Sequence, residues 1–545
     1  MDRWRTRFWI LLAVIVAVPL AFAVYAVVRF VPDYAVTYRS MDEQFKYGST
    51  GGERASGFPY WVWKAMPVVF KDYLPKNGLP GYESFGMVYE TDANGRKMDL
   101  PVGVMHRRDL GIDRVFVNCA VCHHSTVRFS PTEKPQLVLG MPAARFNLGA
   151  FEMFLVSIAA DERFSANVII PEIERQAGGL GPIDKYVVYP LAISIMQSRL
   201  LMLRDRFLPM HPETWGPGRV DTFNSAKALF NFPFHAMQEK EKVGVADFPS
   251  IWNQEQRQGM QLHWDGNNCR VEERNKSAAF GTGTTPATID LGEIDRVERW
   301  LNTLRPPLSW PRDRVGWFDP AKAAKGKPLY DEYCSNCHGR SGTDFTSDCM
   351  SEAQRQAAIR ACEMQAMDVP YGPCVGKVTR LESVGTDPYR LDSYTYDLAS
   401  NQGLLYANVL YNDGAAVPTS FSGGGARGHS ERFIHFRKTF GYANMPLDGI
   451  WLRAPYLHNG SVPTLRDLLE PPENRPKQFY RGYDVIDQVK VGFISNVATS
   501  DDALFQTHDP KTGQPIPGND NSGHLWGTTL PPDAKDAIVE YLKTF

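Results

Sequence analysis

Two short strings set the terms for this chain. "NCAVCHHS" runs from Asn118 to Ser125, and "DEYCSNCHGR" from Asp331 to Arg340. Each holds two cysteines separated by two residues, with a histidine directly behind the second. A zinc site joining two cysteine pairs needs no histidine after each one. A redox dithiol needs a strand–helix setting and no such histidine. The string is instead the attachment signature of c-type haem. Two thiols add to the two vinyl groups of one porphyrin, one helical turn sets their separation, and the next residue projects an imidazole onto the iron. Cys119 and Cys122 are expected to hold one haem, with His123 on its iron. Cys334 and Cys337 are expected to hold a second, with His338.

Covalent haem attachment normally takes place outside the cytoplasm, and the first residues agree. Arg3, Arg5 and Arg7 precede a stretch from Phe8 to Val28 with no charged residue. That is long enough to cross a bilayer as a helix. The arginines place the N-terminus in the cytoplasm and everything after Arg29 on the far side. Ala21-Phe22-Ala23 resembles a signal-peptide cleavage site, but the apolar run continues past it, which favours an uncleaved anchor. The expected location is the periplasmic side of a bacterial inner membrane.

At 545 residues the chain is too long for one compact core. The divisions expected are an anchor or signal over 1–32, an N-terminal haem c domain over 33–310 and a C-terminal cytochrome-c-like haem domain over 311–545, with "LRPPLSWP" from Leu304 to Pro311 as the joint. The fold class expected is mainly α, with long irregular loops supplied by 45 Gly and 39 Pro. Before the second motif, Asp319 can cap a helix whose first turn holds Pro320. At the C-terminus Ala537, Ile538, Tyr541, Leu542 and Phe545 form one apolar stripe at helical spacing. A net charge of −2 gives no electrostatic argument for a nucleic-acid partner. Cys269, Cys349, Cys362 and Cys374 lie outside the motifs. In an exported chain they can form disulfides, and a pair among the last three is the expected bridge.

Between the motifs, "QLHWDGNNCRVEERN" carries Trp264-Asp265-Gly266 and Val271-Glu272-Glu273. Further on, "MPLDGIWLRAPYLHNGSVPTLRDLLEP" spans Met445 to Pro471, and Thr386-Asp387-Pro388 lies before it. These blocks resemble the di-haem bacterial cytochrome c peroxidase superfamily, which includes the di-haem quinone-maturing enzyme and the haem-dependent rubber oxygenases. The resemblance implies that Trp264 stands between the haems and relays electrons, and that His458 supports the second haem without binding its iron. It implies a sixth ligand of the second iron before the last helix, where His524 stands as in the rubber-oxygenase branch. Met445 and His458 are the competitors. It also implies an open sixth position on the first iron, with His263 and His235 as conceivable distal groups.

Where the peroxidases carry a Gln and an acid–base Glu after the Trp, this chain has Arg274 and Thr284. The loss favours dioxygen over peroxide. Phe280 matches the Phe that the rubber oxygenases hold near the distal face. The activity implied is that of a haem-dependent oxidoreductase, peroxidase or oxygenase, working on peroxide or dioxygen with a periplasmic electron donor or acceptor. A non-catalytic electron carrier is the alternative. Whether calcium is bound as well is left open.

Overall fold

The computed structural model describes residues 2–364, 368–411, 433–500 and 503–545. Helix accounts for 44% and strand for 11%. Helix leads, but the expected mainly α character is tempered by one sheet and several two-stranded ribbons. The sheet is antiparallel and four-stranded, in the order Tyr34–Ala35, Val104–Asp109, Ile112–Val117, Phe58–Pro59. Its central hairpin pairs Val104 with Val117 and Asp109 with Ile112. Leu110 and Gly111 close it with φ of 49° and 73°. A two-residue turn with both φ positive matches the right-handed twist of the strands it joins.

The hairpin delivers the first motif. Ile112–Val117 runs into Asn118, whose Oδ1 accepts from the Ala120 amide at 2.9 Å and whose Nδ2 donates to the Phe45 and Gly48 carbonyls. That cap starts the short 3-10 turn Cys119–Val121, so the first motif follows a strand and not a long helix. Around it, helices Tyr60–Val69, Leu148–Ala159, Ala166–Ala177 and Tyr189–Phe207 enclose an aromatic core in which Trp63 stacks on Tyr82 at 4.0 Å and meets Phe151 edge-on.

The second motif follows the expected helix. Pro320–Tyr333 is capped by Asp319, whose Oδ1 accepts from the Ala321 and Lys322 amides. It packs directly on the terminal helix Pro532–Leu542. Contact is so close that a Cβ on Gly326 would lie 1.8 Å from the Ala537 carbonyl oxygen, so only glycine fits. Tyr330 packs against Phe545 and donates to the Gly339 carbonyl just past the motif.

Packing crosses the expected joint at residue 310. One apolar cluster unites Val127, Val138 and Trp252 with Trp451, Tyr330 and Ile538. Asp484 accepts from Thr126 Oγ1 at 2.5 Å and from Arg128 at 2.6 and 2.8 Å. The disulfides are Cys269–Cys362 and Cys349–Cys374. The second is a pair among the three expected cysteines, and the first spans 93 residues.

At the N-terminus the helix Asp2–Phe30 leaves its apolar window within Trp4–Phe30 wholly unburied and meets the body at its last turn, through Arg29. It is long and apolar enough to cross a membrane.

Candidate haem sites

Cys119, Cys122, Cys334 and Cys337 are the cysteines left outside disulfides. Burial raises their thiols: Cys119 and Cys337 to about 11, Cys334 to about 12, and Cys122 higher still. Among the described residues no three His, Cys, Asp or Glu side chains converge as a metal cluster, so the two pairs do not share one ion. Cys119 instead borders one cavity, and Cys334 with Cys337 another.

The second cavity is walled by Cys334, Cys337, His338, Trp264, Thr386, Tyr442, His458 and His524 among others. The His338 and His524 rings face each other with centres 6.2 Å apart and planes 34° from parallel. Two imidazoles on opposite sides of one iron, each with a metal–nitrogen bond of about 2.0 Å, put their ring centres about 6 Å apart. The pair therefore fits a haem iron. His338 Nδ1 lies 2.7 Å from the Met445 carbonyl oxygen, which fixes the tautomer and turns Nε2 inward. Burial lowers the pKa of both rings, that of His524 to about 3, so both stay neutral with a lone pair to give. Met445 thus acts on the proximal ring through its backbone, and its side chain is not among the cavity walls. His458 stacks on Tyr442 at 4.2 Å, with Nε2 3.1 Å from the tyrosine hydroxyl. Trp264 donates from Nε1 to the Asp247 carbonyl at 2.8 Å.

The first cavity is bordered by Cys119 and His123. Its apolar wall is Ile251, Ala278, Ile294, Val297 and Leu301, and its polar wall Gln254, Arg274, Asn275 and Glu298. His123 Nδ1 lies 3.0 Å from the Pro249 carbonyl oxygen, the same backbone restraint as at His338. Burial and the nearby Arg274 hold its pKa at about 3. No second histidine and no methionine borders this cavity among the described residues. Arg274 is buried, with no carboxylate paired to it among the described residues, its pKa pushed down to about 10 by burial and by Arg257. A buried guanidinium without a counter-ion suits an anionic group such as a haem propionate.

Glu298 was not singled out in the sequence. Burial and the neighbouring Glu272 raise it to about 7, and Asn275 Nδ2 bridges Gln254 Oε1 at 2.8 Å and Glu298 Oε2 at 3.2 Å. A signal was present: Glu298 interrupts the helical stripe Ile294, Val297, Leu301, where an acid has no place in a purely apolar face.

Other expected groups lie elsewhere. Phe280 does not border the first cavity. It packs with Phe433, Phe436, Ile289 and Ile294, one side chain behind the wall that Ile294 provides. His124 turns back to the Ala120 carbonyl oxygen at 2.5 Å. His235 is exposed, and His263 lies beside Phe436 with a buried Nε2 that has no partner among the described residues. Thr284 is buried outside the cavity walls.

Comparison with known proteins adds to this geometry. Uncharacterized protein y4iJ of Sinorhizobium fredii is 26% identical, over 88% of this chain and 85% of its own length. Uncharacterized protein y4iM of the same organism is 31% identical, over 55% of this chain and 64% of its own length. Residues 441–481, which hold Tyr442 and His458 of the second cavity and Met445, whose carbonyl meets His338, match the family described as RoxA-like, cytochrome c-like. The chain therefore carries a RoxA-like cytochrome c domain, with the covalently bound c-type haem that such a domain implies.

Proposed function

We propose that this chain is an exported, membrane-anchored di-haem oxidoreductase that activates dioxygen or peroxide at the His123 haem and exchanges electrons with a periplasmic partner through the His338 haem. The observation that carries this reading is the asymmetry of the two cavities. One holds His338 and His524 face to face with His458 beside them, and among the described residues the other is bordered by His123 alone of the histidines. An iron with two imidazoles is coordinatively full and suits electron transfer, whereas an iron with one can take an exogenous ligand. Bound haem would supply the redox and oxygen chemistry.

The chain's own groups would position and protonate. Met445 and Pro249 orient the proximal rings through their carbonyls. Arg274 is available to an anionic edge of the first haem. Glu298, poised near neutrality and linked through Asn275 to Gln254, can hold or release a proton in the cavity. Trp264, on the wall of the second cavity, is the candidate relay.

Within this reading an oxygenase resembling the rubber-cleaving type is favoured over a peroxidase. Five apolar side chains wall the first cavity, and the matched family is RoxA-like. The deciding experiment combines EPR and optical spectra of the purified holoprotein with carbon monoxide and cyanide titrations. One low-spin haem beside one ligand-accepting haem is expected. Two low-spin haems that both refuse every ligand would leave only the electron carrier.

A further inference from the structure

The helix Tyr189–Phe207 and the single turn before it, Asp184–Val188, form a second segment long and apolar enough to cross a bilayer. Its inner face precludes that. Tyr189, Ile193, Met196 and Leu200 are buried in the first core, so the helix is fixed to the body. Its outer face is nevertheless apolar. Val187 and Leu191 are each 59% exposed, and Ile195 and Met202 continue the same stripe at spacings of four and seven. Ser198 on this face donates its hydroxyl to the Ser194 carbonyl at 3.0 Å, and Arg199 at its edge is tied to the Ala55 carbonyl. Ser198 and Arg199 are thus partnered by the chain itself, as a lipid-facing surface requires, and the charged end of the stripe, Asp205, 81% exposed, lies 3.8 Å from Arg204.

The position of this face says what covers it. Arg29, in the last turn of the apolar N-terminal helix, pairs with Asp184 at 2.8 Å, at the very start of the segment, and also donates to the Gly111 carbonyl. Beside it the hairpin tip presents Leu110, 60% exposed, in a left-handed conformation that favours glycine or asparagine over leucine. Tyr186, an interfacial residue type, is exposed one turn away. The chain thus leaves its N-terminal helix beside exposed apolar side chains.

We infer that the outer face of Tyr189–Phe207, with Tyr186, Val187 and the Leu110 tip, is a phospholipid-docking surface that lays the first haem module against the bilayer. This rests on the anchored reading of the N-terminal helix. A helix of this length lying along the membrane covers about 28 Å and seats its apolar side chains about 5–10 Å into the headgroup boundary.

The test uses the full-length holoprotein, reconstituted in phosphatidylcholine–phosphatidylglycerol vesicles. Leu191→Cys, Ile195→Cys and Leu110→Cys, each carrying a nitroxide, are compared with Val315→Cys, a fully exposed site in another part of the chain. All four positions are exposed, so folding is spared. The expected result is an oxygen-to-nickel-chelate collision ratio several-fold higher at the first three sites than at Val315. Ratios equal to that at Val315 overturn the proposal. Labels shielded from both oxygen and chelate mean that a protein covers the face, and overturn it equally. Flotation separates the premise: a chain that stays out of the vesicle fraction refutes the anchor and the docking surface with it, whereas one that floats with water-exposed labels refutes the docking surface alone.

Discussion

His338 and His524 face each other across 6.2 Å, although 186 positions separate them in the chain. His338 is placed by the motif that follows Pro320–Tyr333, and its ring is set by the Met445 carbonyl. His524 has a left-handed backbone, φ 50°, and its ring meets Trp526 edge-on at 5.3 Å. Its amide donates to the Val384 carbonyl. Two elements from opposite ends of the second module thus bring two neutral imidazoles to one span. Among the described residues His123 has no such counterpart on its cavity wall.

His524→Ala should convert the low-spin signal of the second haem to a high-spin or ligand-accepting one and raise its reduction potential, since a strong axial donor is lost. His458→Ala should leave that haem low-spin, because His458 is stacked on Tyr442. Low-temperature EPR of the two variants checks both. An unchanged signal in His524→Ala would transfer the ligand role to another side chain.

Thiol counting tests the cysteine assignment. Four of the eight cysteines lie in disulfides and four in the two motifs. Denatured, unreduced holoprotein should therefore offer no free thiol, and reduction should release four. Intact mass should exceed that of the polypeptide by two haems. Cys119→Ser with Cys122→Ser should remove one haem, and Cys334→Ser with Cys337→Ser the other.

The motifs, the apolar N-terminal helix and the Asp319 cap were legible because each is a local pattern whose chemistry needs only neighbours in sequence. The hairpin Val104–Val117 was not. Its turn is Leu110-Gly111 and lacks the asparagine or aspartate that usually announces such a turn. Cys269–Cys362 was unreadable for a different reason: a bridge across 93 residues is selected by the fold and not by spacing. Glu298 sits in between. Its odd place in an apolar stripe was visible, but its company with His123 depends on how Leu291–Thr303 packs beside Cys119. Phe280, chosen by resemblance, turned out to lie behind Ile294, because the positions of its helix that border the cavity are 274, 275 and 278.

Glu298 should give the proposed His123 haem a pH dependence. Its carboxyl is raised to about 7, so it is neutral below that pH and anionic above. Azide is an anion throughout this range and should bind the ferric His123 haem more weakly as pH rises through 7. A unit charge about 10 Å away at an effective dielectric of about 20 is worth about 1.5 kcal/mol, or roughly tenfold in affinity. Glu298→Gln should abolish the step and keep the tighter limit at all pH values. Optical titrations from pH 5.5 to 8.5 decide it, and a step that persists in the variant would assign the proton to another group.

Asp484 tests whether the two halves fold as one. It is 3% exposed and binds Thr126 and Arg128, which immediately follow the first haem motif, while its own segment belongs to the second half. Asp484→Ala leaves Arg128 without its partner, but that guanidinium is 19% exposed and can turn to water. The cost should therefore fall below that of a fully buried pair, at about 2–3 kcal/mol. Because the cluster of Val127, Trp252, Trp451 and Ile538 is shared, the loss should lower one common unfolding transition. Chemical denaturation followed by far-UV circular dichroism and by Soret absorbance checks this. Coincident curves shifted together are expected. Two separated transitions, with only one displaced, would mean that residue 310 divides the chain into independent folding units.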